Sequence, residues 1–221
     1  MAPDGVDTVL FDCWGTLFTT APASGPAVPM YVLAEGLGVE PDAAFRDAYE
    51  EAFMLARHDG YERPVRRLAR AVGAEPGETR VASLVDRLER LEAAQVAYDD
   101  ALPAVERLRD RGAALALVTN TDATSLARLR ERFPVDEAFD AVVASYEVGA
   151  LKPAPAMFET ALDRVGADAG EAAMVGDSPG SDVRAARRLG LRAVLVDRAD
   201  EYGWLNHEPR VPDLRALDEH V

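Results

Sequence analysis

Five short apolar runs punctuate the chain: Asp7–Phe11 (DTVLF), Ala114–Thr119 (ALALVT), Ala141–Ala144 (AVVA), Ala172–Val175 (AAMV) and Ala193–Val196 (AVLV). Runs this short and this continuously apolar suit strands buried on both faces of a parallel sheet. Between them, hydrophobic positions recur at helical spacing. Leu126, Leu129 and Phe133 form one stripe, and Met157, Phe158, Ala161, Leu162 and Val165 another. A third holds Val183 and Ala186, with Gly190 placed as its C-terminal stop. Strands alternating with helices predict an α/β fold, a Rossmann-like parallel sheet core covered on both faces. Ligands of such sheets bind beyond the carboxyl ends of the strands.

The alternation breaks between residues 20 and 99. A loop rich in Pro, Ala and Gly, Ala21–Pro29, opens this segment. Three helical stripes follow: Phe45, Ala48, Tyr49, Ala52, Phe53 and Ala56; Val65, Leu68 and Ala69; and Val81, Leu84, Val85, Leu88 and Leu91. With no strand pattern, residues 20–99 read as an all-helical cap domain inserted into a core made of residues 1–19 and 100–221. Its hinges are expected near Thr19–Ser24 and Asp99–Pro103. The tail, Asp197–Val221, contains Gly203, Trp204 and two prolines and is expected to be irregular and without chemistry.

Charge narrows the choice of partner. Among 221 residues, 24 Lys and Arg face 39 Asp and Glu, a net charge of −15. Such a surface repels nucleic acid and anionic membranes, which leaves a small-molecule substrate. No apolar run approaches the roughly 18 residues of a membrane span. The start, MAPDGVDTVLFD, lacks a basic n-region, so a cytoplasmic protein is expected, as monomer or homodimer. Cys13 is the single cysteine, which excludes an intrachain disulfide; it reads as a small buried hydrophobe. Lys152 is the single lysine beside 23 arginines. A position that stays Lys in such a chain calls for a compact ammonium on a flexible stem.

Four polar clusters follow four of the predicted strands or their loops: Asp12-Cys13-Trp14-Gly15-Thr16, Thr119-Asn120-Thr121-Asp122, Lys152-Pro153, and Gly176-Asp177-Ser178-Pro179-Gly180-Ser181-Asp182. Singly, each has a structural explanation as a helix cap or turn. Together they gather three carboxylates, one ammonium and several hydroxyls on one sheet edge, where a divalent cation is the natural compensation.

In order and spacing these clusters resemble the four motifs of the haloacid dehalogenase superfamily, and the helical insertion resembles its cap. The resemblance implies that Asp12 is the nucleophile. It implies Mg²⁺ held by Asp12, the backbone carbonyl of Trp14, Asp177 and Asp182. Thr119 and Lys152 would bind the transferring oxyanion, with Lys152 also neutralising Asp12. Asn120 is either a substrate contact or a helix cap. Substrate contacts are further expected from Trp14 and Thr16. On the early cap helices the candidates are Arg46, Tyr49, Arg57, His58, Tyr61 and Arg63, and Tyr49 is equally suited to the cap's core.

Trp14 departs from the pattern. Phosphatases of the superfamily carry a second Asp there, which protonates the leaving group, and indole has no proton to give near neutrality. General acid–base help is worth about 10²–10⁴-fold. Mg²⁺-dependent phosphoester hydrolysis is the leading reading, with a good leaving group or another proton donor, for which His58 and His207 are available. Displacement or elimination at carbon, with loss of halide, sulfate or phosphate, is a second reading, and a catalytically idle binding protein a third.

Overall fold

The computed structural model describes residues 6–20, 28–205 and 209–221. It begins with β1 (Thr8–Phe11) and β2 (Phe18–Thr20). Helices α1 (Pro29–Leu37), α2 (Ala43–Tyr49), α3 (Glu62–Ala71) and α4 (Glu78–Ala93) lead to β3 (Gln95–Ala97). The chain continues through α5 (Ala101–Asp110), β4 (Ala114–Thr119), α6 (Ala123–Arg132), α7 (Val135–Ala138) and β5 (Ala141–Ala144). It then forms α8 (Ser145–Val148), α9 (Pro155–Val165), β6 (Ala172–Gly176), α10 (Ala185–Arg188), β7 (Arg192–Val196) and β8 (Arg210–Val211).

Six of these strands form one parallel sheet in the order β5-β4-β1-β6-β7-β8. Side-chain alternation along β1 explains its two faces. Val9 and Phe11 pack with α5 and α6 through Ala104, Leu108, Leu126 and Leu129. Leu10 points the other way, into a layer with Met157, Phe158 and Ala161 of α9. The chain runs outward from β1 through β4 to β5, then crosses back to β6, so the strand order reverses at β1. The crevice beyond β1, β4 and β6 is the expected ligand position.

Helices α1–α4 bury a separate apolar cluster that includes Leu33, Phe45, Phe53, Leu68 and Leu84. The α1 helix escapes the periodicity reading because glycine interrupts it. A Cβ at Gly36 would lie 2.1 Å from Leu84 Cδ2, so the missing side chain is what lets α1 rest against α4. The stripe expected over residues 45–56 is split, α2 passing into a π-helical turn at Glu50–Met54. Likewise the helix after β6 begins as a π-helical segment, Pro179–Arg184, before α10, and Gly190 follows it at φ 89°.

Three expectations need correction. The inserted segment is not all helical, because β2 and β3 pair antiparallel (Phe18↔Ala97, Thr19↔Val96, Thr20↔Gln95) at its two ends. Of the expected hinges, Thr19 and Thr20 lie in β2 and Ala101–Pro103 open α5, while Ser24 lies outside the described residues. The described part of the tail is built into the fold: β8 extends the sheet beside β7, and a 3₁₀ turn, Leu214–Glu219, packs Leu214 and Leu217 into the α5 layer.

The tail also fastens the loop after β1. Arg198 donates from Nη1 to both Asp100 oxygens at 3.1 Å and from Nη2 to the Thr16 carbonyl at 2.7 Å. Its guanidinium lies 3.7 Å over the Tyr98 ring, and Asp100 also accepts from the Leu214 amide. Isolated strands and their hydropathy carry no trace of this clamp, which joins residues about half the chain apart. Among the described residues no helix is long and apolar enough to cross a membrane.

Candidate active site

Asp12 follows β1 directly, and its amide donates to Val175 O of β6 at 2.9 Å. The chain then turns tightly, with Leu17 and Phe18 amides both donating to Cys13 O. Lys152 Nζ lies 2.5 Å from Asp12 Oδ1 and 2.7 Å from Asp182 Oδ1, all three groups buried. Thr16 Oγ1 donates to the other oxygen of Asp12 at 3.3 Å. Asp182 is held in turn by the Ser178 amide, which donates to Oδ2 at 3.0 Å.

Asn120 is not the cap of the helix that follows it; it stands on the wall of the cavity described below. Its side-chain amide donates to Lys152 O at 3.1 Å, and its carbonyl oxygen accepts from Lys152 N at 2.7 Å. This two-point clamp sets the backbone from which the buried ammonium reaches Asp12. Asp122, two residues on, is the helix cap, accepting from the Thr124 and Ser125 amides of α6. Thr119 is fully buried beside the Cys13 thiol. Its hydroxyl has no nitrogen or oxygen partner among the described residues. Cys13 is buried as expected, and burial pushes its thiol well up, away from the reactive thiolate.

Carboxylate oxygens of Asp12, Asp177 and Asp182 lie within 4.8 Å of one another. Burial, followed by the Asp12 and Asp182 charges, pushes Asp177 up to about 8. Burial also pushes Asp12 up to about 6, against the pull of Lys152. For Lys152, burial opposes the charge, but the two carboxylates outweigh it and hold the ammonium protonated. One cation is therefore set against three carboxylates, and hard oxygen donors of this kind suit Mg²⁺. The backbone leaves room for the cluster. A Cβ at residue 15 would lie 1.9 Å from Asp177 Oδ2, and one at residue 176 would lie 2.4 Å from Asp182 Oδ2. Gly15 also adopts φ 82°, so a side chain there is both strained and obstructed. Its peptide with Trp14 borders Asp177, where the Trp14 carbonyl was expected as a ligand. The donor set fits the metal.

A cavity of about 650 Å³ opens beside this cluster, bordered by Asp177, Asn120, Trp14, Arg46 and Tyr49. Trp14 Nε1 points to Thr121 Oγ1 at 3.5 Å. Four expected substrate contacts, Thr16, Arg57, His58 and Arg63, are not lining residues. Thr16 is fully buried and spent on Asp12. Arg57 instead lies over the Tyr146 ring at 5.3 Å. His58 is buried, with Nδ1 3.1 Å from Thr124 Oγ1 and Nε2 3.7 Å from Asp122 Oδ1. His207 lies outside the described residues.

The sequence reading missed a second buried acidic group, at the seam between α4 and α6. Ser125 Oγ lies 2.6 Å from Asp122 Oδ2 and 3.0 Å from both Glu92 Oε1 and Tyr61 Oη. Gln95 Nε2 donates to the other oxygen of Glu92 at 2.6 Å. A Glu at the buried face of α4, in step with Leu84 and Leu88, is the signal that pointed to it.

Similarity to known proteins agrees with this geometry. Residues 6–190 match the family model of haloacid dehalogenase-like hydrolases. A glyceraldehyde 3-phosphate phosphatase of Methanopyrus kandleri is 30% identical over 212 residues, 94% of this chain and 90% of that one. A phosphoserine phosphatase of Thermus thermophilus is 35% identical over 195 residues, covering 86% of this chain and 76% of that one. The structure of a haloacid dehalogenase-type phosphatase from Thermococcus onnurineus superposes with a TM-score of 0.65 at 27% identity, covering 96% of each chain. The family model spans most of the chain and the similar phosphatases are alike over most of their length, so the chain belongs to the haloacid dehalogenase-like hydrolases.

Proposed function

We propose that this hydrolase cleaves a small-molecule phosphoester, with Asp12 as nucleophile and residues 20–99 acting as a cap over the site. The observation that carries the reading is Asp12 itself, buried at a strand end between Lys152 Nζ and Thr16 Oγ1 and beside two more carboxylates. The similar proteins named as phosphatases support phosphorus as the reacting centre.

In this reading an Asp12 oxygen attacks phosphorus, and the bond from phosphorus to the leaving oxygen breaks with its electron pair. Water then attacks the aspartyl phosphate at phosphorus, releasing inorganic phosphate and restoring the carboxylate. Lys152 keeps Asp12 ionised and aimed, fixed at its root by Asn120. Thr119, whose hydroxyl has no nitrogen or oxygen partner among the described residues, is the expected further donor to the oxyanion. Asp12, Asp177, Asp182 and the Trp14 carbonyl would hold Mg²⁺, which would supply positive charge to the phosphoryl oxygens.

The test is inorganic phosphate release from a panel of phosphomonoesters, with and without Mg²⁺. Turnover should require Mg²⁺ and fall by about 10⁴-fold or more in Asp12→Asn, the scale of losing a covalent nucleophile. Phosphate release from no ester, or release that persists in the variant, would sink the reading.

A further inference from the structure

The cavity next to Asp12 combines two features that arise independently. The first is a wall of rings and thioethers: Trp14, Tyr49, Phe53, Met54, Tyr61 and Tyr98 all border it. Polar side chains, among them Arg46, Glu50, Asn120 and Glu201, line the rest of the cavity, so the ring-bearing part of the wall suits a flat, apolar portion of a ligand. The second is that, among the described residues, the side chain two positions after the nucleophile is not an acid. Trp14 stands two residues after Asp12 and carries only an indole N–H, directed at Thr121. Three acids elsewhere on the wall are engaged with other groups, which leaves Glu50 and Glu201 to be tested below. Asp122 caps α6, Glu92 is bonded to Ser125 and Gln95, and Asp197 accepts from the Glu201 and Tyr202 amides and from Arg210.

We infer that the substrate is a phosphate monoester of an acidic hydroxyl, a phenol or its equivalent, carried on an aromatic or similarly flat apolar group. The inference rests on the phosphoester reading and specifies it. Asp12 displaces the aryloxide, the phosphorus–oxygen bond breaks towards that oxygen, and the ring delocalises the charge. The anion departs as such and takes its proton from solvent after release. An alkoxide has no such outlet and needs an acid at the moment of bond breaking.

The experiment measures kcat/KM of the Mg²⁺-loaded full chain for substituted phenyl phosphates and for alkyl phosphates such as glycerol phosphate. Aryl esters should lead alkyl esters by at least about 10²-fold, the lower bound for missing general acid catalysis. Among aryl esters, rates should climb steadily with leaving-group acidity. Trp14→Asp should raise alkyl turnover by about tenfold or more, narrowing the gap. Trp14→Phe, which keeps a ring and adds no acid, should leave the ratio where it is.

Comparable wild-type rates on alkyl and aryl esters would overturn the inference while leaving phosphoester hydrolysis intact. So would alkyl turnover that depends on Glu50 or Glu201, both on the cavity wall, as judged by Glu50→Gln and Glu201→Gln. Release of phosphate from no ester at all would instead mark the failure of the underlying reading.

Discussion

Two of the molecule's buried acidic clusters are compensated differently. At the sheet edge Asp12 and Asp182 share one ammonium, and Asp177 adds a third carboxylate with no cation of its own in contact. At the seam between α4 and α6, Glu92 and Asp122 meet hydroxyls, a carboxamide, backbone amides and the His58 ring. Hydroxyls, a carboxamide and backbone amides surround the second cluster with their dipoles aimed and close, and its acidic groups are spent on holding two helices together. The first cluster is short of positive charge, as a site built to receive a cation must be. Burial alone therefore does not mark a catalytic carboxylate; what compensates it does.

Removing the ammonium should break that contrast most sharply. Lys152→Met leaves Asp12 and Asp182 buried and uncompensated, which should cost about 3–5 kcal/mol. Urea unfolding measures it, and Mg²⁺ should restore part of the loss by supplying charge to the same oxygens. A midpoint unchanged by the substitution would show that the two carboxylates never needed their lysine.

The seam should respond less, because its groups have alternatives. Ser125→Ala deletes the hydroxyl shared by Glu92, Asp122 and Tyr61, while the α6 amides still bind Asp122. A loss of about 1–3 kcal/mol is expected for buried groups left without a partner. Phosphatase turnover should change little beside the effect of Asp12→Asn. A loss of activity as large as that of the nucleophile variant would merge the two clusters into one functional unit.

The two clusters also differed in how far the sequence disclosed them. Asp12, Lys152, Asp177 and Asp182 were legible because strand ends are local signals and the motifs are contiguous. The parallel sheet was legible for the same reason, from AVVA, ALALVT and their fellows. The roles of Asn120 and His58 were not. Asn120 binds a backbone 32 residues away and His58 meets a helix 66 residues away, distances at which pattern says nothing. The Arg198 clamp and strand β8 were lost similarly, in a tail whose glycine and prolines suggest irregularity. Ribbon strands β2 and β3 have three residues each, too few for any period to show.

The finest separation of the clusters comes from titrating the seam alone. Ser125 has one hydroxyl proton and two carboxylates within 3.0 Å, so only one of them can accept it. Burial raises the pKa of Glu92, with the Asp122 charge adding to it. The arrangement that satisfies every group has Glu92 protonated, donating to Ser125 Oγ, which donates to Asp122. A carboxyl whose pKa is raised by folding binds more protons in the native state than in the unfolded one. Its contribution is thus fully present below the ordinary carboxylate pKa and is lost as pH rises through the raised one. Glu92→Gln offers a permanent amide donor in the same place. Its stability advantage over the parent should be least at about pH 4, grow through the carboxylate range and level off above it. Urea midpoints of the two proteins across that range give the difference directly. The carboxylates around Asp12 titrate alike in both proteins and cancel from it. Parallel curves would mean that folding leaves the Glu92 pKa where it stands in the unfolded chain, and would overturn the protonated arrangement.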